Sequence, residues 1–266
     1  VVVSASVQKI AVLAPDRTPL ETTYSTRFSS AIAGHLKVLD GEMADAAFRS
    51  VTVDDPFNLS VELSKNIGSV IGCDYFVLLR TGMLRRVSLN RPDYFEAFAA
   101  AYVVSSRTGR LMIWKLEKAE AETVDKAERQ LLPSADILAR ETSDELPAFA
   151  KIESTEPSPQ PLEEVPADGT PAAKNFRAPV PYRRIAPEYT PLAYLYGDQA
   201  TVEIQVDLDA DGNFLRTEIV RWAGFGLDES VDAAVRKMNW RPAERNGKTL
   251  PIRFLLRYNF KKIEKE

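Results

Sequence analysis

The sequence has almost none of the residues that build covalent staples or ordinary metal sites: one cysteine, Cys73, and one histidine, His35, in 266 residues. A single thiol excludes an intrachain disulfide, and one thiol with one imidazole is too few ligands for an ordinary zinc site. No cofactor and no metal is expected. A run of roughly 18 apolar residues, the minimum for a membrane-spanning helix, is also missing. So is an excess of basic charge. The 34 basic and 38 acidic residues leave a formal charge of −4, without the basic stripe that phosphate neutralisation requires. Nucleic acid is therefore not expected as a partner. There is no Gly-rich phosphate loop, no nucleophile elbow and no carboxylate pair that stands out, which argues against an enzyme. The chain opens on valine rather than methionine, so membrane contact is expected only through an N-terminal anchor or signal segment ahead of it.

What is present is an ordinary globular composition, 45% hydrophobic and 9% aromatic, long enough for two modest domains. Proline divides the chain. Nine of the 17 prolines fall between Ser154 and Pro191, where missing amide donors and fixed dihedrals oppose helix and sheet interior alike. The expected organisation is a domain over 1–152, a linker over 153–186 and a second domain over 187–266. As a polyproline-like spacer of about 30 residues at roughly 3.1 Å each, the linker would reach at most on the order of 90 Å.

In the first segment, Lys9 to Ala14 reads as a short strand, and Phe28, Ile32 and Leu36 recur at helical spacing ahead of a second strand, LKVLD. Asn58 is placed to cap a helix with an apolar face of Leu59, Leu63, Ile67, Val70 and Ile71, and Gly72 suits its C-terminus. Tyr75 to Thr81 reads as a strand, and Phe95–Ser105 with Leu111–Glu117 as a hairpin turning at Gly109. Ala121 to Phe149 is helical in pattern, interrupted by Pro133 and Pro147. This succession predicts a mixed α/β sandwich of a sheet and helices. GCDYFVLLRTGMLRR followed by YFEAFAAAYVVSSRTGRLMIW resembles the small α/β domains of envelope accessory proteins such as the TolB N-terminal domain, LpoB and CsgG.

After the linker, Val202, Ile204, Val206 and Leu208 alternate with Thr201, Glu203, Gln205 and Asp207, the pattern of a half-buried strand. DADG turns it into a second strand, Phe214 to Trp222. Leu227, Val231, Ala234, Val235 and Met238 recur as an amphipathic helix with acids in its first turn and bases in its last. Asn246–Gly247 marks a turn into a closing strand that alternates from Leu250 to Phe260. The order is β-β-α-β, and the fold class expected for the whole chain is α+β.

These residues carry a second resemblance. Pro187-Glu188-Tyr189 with Pro191, TVEIQVDLDADGNF, Ala223-Gly224, Leu227-Asp228, Ala233-Ala234, Trp240, Arg241-Pro242-Ala243 and Asn246-Gly247-Lys248 follow in order the pattern of the TonB C-terminal domain family. Thr190, inside the usual Tyr-Pro pair, and Trp222, near the usual serines, depart from it and bear on partner specificity more than on fold. The resemblance implies a periplasmic domain that takes an extended peptide from an outer-membrane transporter, or another envelope protein, onto a sheet edge. It also implies a proline-rich arm linked to an inner-membrane motor. Strand addition of this kind uses unpaired backbone groups for affinity and alternate side chains for selectivity. On the closing strand the candidate partner-binding residues are Arg253, Leu255, Arg257 and Asn259. Tyr182, Arg183, Arg184 and Tyr189 at the linker end are further candidates, equally readable as a solvated linker terminus.

Other motifs have ordinary readings. Asp207-x-Asp209-x-Asp211-Gly212 with Glu218 matches a calcium-loop spacing, but flanking strands in place of helices make it a solvated hairpin turn. Cys73 reads as a small buried residue, and His35 as a helix-end residue near solvent. Tyr94, Phe95, Phe98 and Tyr102 read as strand packing rather than a ligand groove. The leading function is an energy-transducing or adaptor protein of the envelope. The alternative is a passive accessory or scaffold (lipo)protein.

Overall fold

The computed structural model describes residues 8–88, 93–158, 160–196 and 199–261, and divides into two compact units. The first spans residues 1–57 and 61–156, and the second takes residues 157–266 together with Asn58–Ser60.

The N-terminal unit is built on a five-stranded sheet in the order β2-β1-β3-β4-β5, from β1 (Lys9–Leu13), β2 (Lys37–Val38), β3 (Tyr75–Arg86), β4 (Tyr94–Ser105) and β5 (Leu111–Ala121). β1 runs parallel to β2 and β3, while β3, β4 and β5 form an antiparallel meander. The apolar runs explain the layering. In β1, β3 and β4 successive residues are buried on both faces, which requires cover above and below the sheet. Tyr24, Phe28 and Ile32 of α1 (Pro19–Ile32) pack on one face with Leu131 of α4 (Val124–Leu131) and Leu138 and Leu146 of α5 (Ser134–Thr155). The alternate residues Phe76, Leu78 and Tyr102, also fully buried, belong to the opposite face. There α2 (Gly41–Arg49) lies against β1, and α3 (Val61–Ile71) against β4. The expected α/β sandwich is present, with helices on both sides.

Two local expectations change. Pro147 does not interrupt the helix but sits inside the 22-residue α5. A helix of that length, anchored by a long apolar stripe, absorbs the one hydrogen bond that proline removes. Asn58 does not cap α3, and Leu59 is not on that helix's apolar face. Val61, Ser64, Ile67 and Gly68 are its buried positions, while Val70 is exposed. Gly109 turns β4 into β5 with φ of +73°, and a Cβ there would fall 2.0 Å from the Val61 carbonyl oxygen, so the position admits only glycine.

In the C-terminal unit a four-stranded sheet runs β10-β9-β14-β6, from β6 (Glu163–Glu164), β9 (Ala200–Leu208), β10 (Phe214–Arg221) and β14 (Ile252–Phe260). Val202, Ile204, Val206, Leu208 and Ile252 make a buried face. The helix α7 (Leu227–Arg236) covers it with Leu227, Val231, Ala234 and Val235. The expected β-β-α-β order is observed. Asp228 stabilises the entry to α7, accepting hydrogen bonds from the Ala223 amide at 2.9 Å and the Gly224 amide at 2.8 Å. Smaller strands surround this frame: β7 (Phe176–Arg177), β8 (Val180–Pro181), β11 (Trp240–Arg241), β12 (Ala243–Arg245) and β13 (Lys248–Leu250). Asn246 and Gly247, with φ of 51° and 77°, form the two-residue turn between β12 and β13, the left-handed geometry that Asn-Gly favours. A short helix, α6 (Pro191–Tyr196), precedes β9.

Two segments join this unit from unexpected places. Asn58 fits as an inserted polar clip: its Nδ2 donates to the carbonyls of Thr201 (2.9 Å) and Trp222 (2.7 Å), and its Oδ1 accepts from the Thr201 amide at 3.0 Å. Leu59 beside it is fully buried. From Glu163 onward, the proline-rich stretch contributes β6, β7 and β8, which pair with β14, β12 and β11. Proline excludes long regular strands, yet two-residue pairings remain open to it, with Pro181 itself opposite Trp240.

Candidate functional site

β14 has two edges, and one is filled from end to end. Its antiparallel partner β9 matches it residue for residue, from Ile252 opposite Leu208 to Phe260 opposite Ala200. Among the described residues, the other edge meets Glu163 and Glu164 alone, in parallel, opposite Ile252 and Arg253. The Val165 amide donates to the Arg253 carbonyl at 3.1 Å. That bond fixes the direction of the backbone: Arg253 turns its polar groups away from β9, and alternation then turns those of Leu255, Arg257 and Asn259 the same way. Among the described residues, no strand pairs with β14 on this side beyond Arg253. The four residues singled out on β14 are thus the ones whose backbone faces the outer edge.

Their side chains stand on the sheet face opposite α7, and three are engaged. Arg253 forms a two-pronged pair with Asp207, Nε to Oδ1 and Nη2 to Oδ2, each at 2.7 Å. This carboxylate holds the guanidinium firmly protonated. Arg257 donates from Nε to Glu203 Oε1 at 2.6 Å. Both acids lie directly opposite on β9, so these are cross-strand pairs that rigidify the sheet. Asn259 Oδ1 accepts from Thr201 Oγ1 at 2.8 Å. Leu255 stands between the two arginines and is half exposed. The free cationic ladder that sequence alternation suggests is therefore a paired ladder with one aliphatic side chain at its centre.

The linker-end candidates separate. Tyr189 stacks on Phe260, the last residue of β14, with centroids 6.1 Å apart and planes 27° apart, and meets Tyr194 edge-on. Arg184 lies near enough to Tyr258 to oppose electrostatically the rise that burial causes in that phenol. Tyr189 and Arg184 thus belong with the C-terminal end of β14. Tyr182 is placed elsewhere, its amide donating to the Asn239 carbonyl at 2.9 Å and its exposed ring facing Arg241. Arg183 is exposed beside it. Arg245 is a residue sequence reasoning passed over. It is paired with Glu163 and lies over the Phe176 ring at 5.4 Å. Nothing in the local pattern around Arg245 marks it, because its partners come from the proline-rich stretch some 70 to 80 positions upstream.

The calcium-like spacing has other work. Asp209 accepts from the amides of Asp211 and Asn213, each at 2.8 Å, and from Asn213 Nδ2, bonds that hold its carboxyl below the ordinary range. Asp207 is bound to Arg253, and Glu218 to Arg216. No cluster of three or more metal-ligating side chains occurs among the described residues. Cys73 is buried 3.4 Å from Ser106 Oγ, and desolvation raises its thiol pKa, the opposite of an activated nucleophile. Tyr102 packs between Phe57 and Trp114, with centroids 5.4 and 6.3 Å away.

Residues 185–261 match the family model of the Gram-negative bacterial TonB protein C-terminal. Among solved structures, the chain is similar to the TonB C-terminal domain of Pseudomonas aeruginosa, at 22% identity and a TM-score of 0.28, over 35% of this chain and 90% of that one. It is also similar to lipoprotein GNA1162 from Neisseria meningitidis, at 14% identity and a TM-score of 0.34, over 53% and 99%. A minor lipoprotein from Acinetobacter baumannii matches at 10% identity and a TM-score of 0.30, over 54% and 94%. No curated protein matches the sequence. Among the described residues, no helix is long and apolar enough to cross a membrane.

Proposed function

We propose that the protein is a non-enzymatic adaptor of the Gram-negative envelope whose C-terminal, TonB-like unit captures an extended peptide from an envelope partner, such as an outer-membrane transporter, by strand addition to β14. The observation that carries this reading is the outer edge of β14. There Leu255, Arg257 and Asn259 present backbone groups that no described strand takes up, in a domain matched by the TonB C-terminal model. An unpaired edge of this kind is a template for a further strand. The cross-strand pairs to Asp207 and Glu203 hold it straight, and Leu255 offers an apolar contact for one side chain of the ligand.

The alternative, a passive accessory protein of the envelope, draws on the connector between the units. Seven residues, 156–162, separate the end of α5 from β6. At about 3.1 Å each they reach on the order of 20 Å, short beside the span expected of the whole proline-rich stretch. A connector this short does not itself serve as a compartment-spanning arm.

The test is crosslinked recovery of partners from Gram-negative envelopes with the full chain and with Leu255→Pro. The substitution removes an outward amide and leaves the ladder to β9 intact, so capture of the transporter is expected to fall while folding by circular dichroism is kept. A folded Leu255→Pro protein that recovers the same partners in the same amount overturns the reading.

A further inference from the structure

The edge of β14 already holds a short strand, and that strand describes what the edge accepts. Glu163 and Glu164 lie parallel to β14, with the Val165 amide bonded to the Arg253 carbonyl. Consecutive residues of an added strand point to opposite faces, and here each acid meets an arginine. Glu163 pairs with Arg245, whose guanidinium is held over Phe176. Glu164 lies opposite Arg253 and acts on it electrostatically, and Arg253 also reaches the Gln160 carbonyl at 3.4 Å. Leu162 and Val165, flanking the two acids, are partly covered, whereas the acids themselves are exposed. A two-residue parallel strand with Pro161 and Pro166 at its ends is too short to be held strongly. It covers two of the nine residues of β14 and leaves the outward groups of Leu255, Arg257 and Asn259 open.

We propose that the β14 edge is a parallel strand-addition site for peptides carrying two adjacent acids between aliphatic residues, read by Arg245 and Arg253, and that the chain's own Leu162–Val165 segment occupies its first positions and competes with the partner. This rests on the strand-addition reading above. The partner peptide enters in the same direction as residues 162–165, displaces them from Ile252 and Arg253, and continues along Leu255 to Asn259. The affinity measured for a partner is then lowered by the fraction of molecules in which the cis segment is seated.

The experiment uses the full chain and a fluorescent synthetic peptide repeating residues 160–167 as the probe, followed by anisotropy. Val165→Pro deletes the amide that bonds Arg253, and Glu163→Lys reverses the charge facing Arg245. Both positions lie on a surface segment, so neither threatens folding. Each variant is expected to bind the probe about fivefold more tightly than the wild type, the factor for releasing one competing hydrogen bond or ion pair. Arg245→Ala placed on the Val165→Pro background should reduce that binding again. Equal affinity in wild type and both cis variants overturns the competition, while leaving strand addition in place. Absence of probe binding in every variant overturns the acidic specificity. Capture of a transporter by wild type but not by Leu255→Pro would still show that the edge takes some strand, which separates failure here from failure of the function proposed above.

Discussion

Glu21 is the residue most at odds with its surroundings. It lies in the first turn of α1 with no exposed surface, and among the described residues neither carboxyl oxygen comes within good hydrogen-bond geometry of a donor. Burial first, and the nearby charge of Asp16 second, push its pKa up to about 7, against a smaller opposing influence of the amides of Asp16, Arg17 and Thr18. A folded-state pKa above the unfolded one means that the native state binds more protons between the two values. Stability is therefore fully present below about pH 4.5 and falls as pH rises toward 7. Thermal melts of the full chain should show the N-terminal unit losing roughly 1–2 kcal/mol between pH 5 and pH 8. Glu21→Gln should flatten that dependence and raise the melting temperature at pH 8. An unchanged slope in the glutamine variant would show that another group carries the titration. Val235 makes the converse case in the C-terminal unit. It is fully buried in α7, and Val235→Asp would place a carboxylate there without a partner. That change should cost at least about 3 kcal/mol and unfold the unit, seen as loss of its cooperative melt.

Strands and helices whose pattern is complete within a dozen residues were legible from sequence. The alternation of Val202, Ile204, Val206 and Leu208 and the three-and-four spacing from Leu227 to Val235 give β9 and α7 with their buried faces, because each element's own periodicity decides which side meets the core. The same alternation located the outward residues of β14. It did not show that Arg253 and Arg257 are held by Asp207 and Glu203, since pairing across strands depends on register, and the register of two strands this far apart in sequence is set by the packing of the whole unit. Asn58 and Leu59 were misplaced for a related reason. A helix-capping residue and a residue that clips a distant strand look alike in sequence, and only the Thr201 and Trp222 carbonyls distinguish them. On β14, Arg257→Ala should change partner affinity by less than about fivefold, and mainly at low salt. The arginine is two-thirds exposed and its charge is already balanced by Glu203, so what a ligand gains from it is screened. Titration at 50 and 300 mM salt checks this, and a large loss at high salt would make Arg257 a direct anchor.

At the scale of the whole chain, the question is which part of the proline-rich stretch is spacer and which part is domain. Composition treats residues 153–186 as one segment, because missing amide donors oppose long regular structure throughout. The pairing in the C-terminal unit divides it: β6, β7 and β8 are added to other strands two residues at a time, and residues 156–162 precede them as connector. Proteolysis reads this division, since cleavage needs a stretch of backbone that leaves its contacts. The units are proposed to divide at this stretch, so brief treatment with a protease of broad specificity should cut first between residues 154 and 184 and leave two resistant fragments. Within that span, cuts should fall earlier around residues 156–169 than around Phe176–Pro181, where β7 and β8 are paired to β12 and β11. Glu163→Lys, which breaks the pair with Arg245, should speed cleavage near residue 163 severalfold without exposing either unit. Mass spectrometry of the early fragments checks the order. Early cuts inside β4 or β9, with residues 154–184 intact, would mean that the chain does not divide into two units at this stretch.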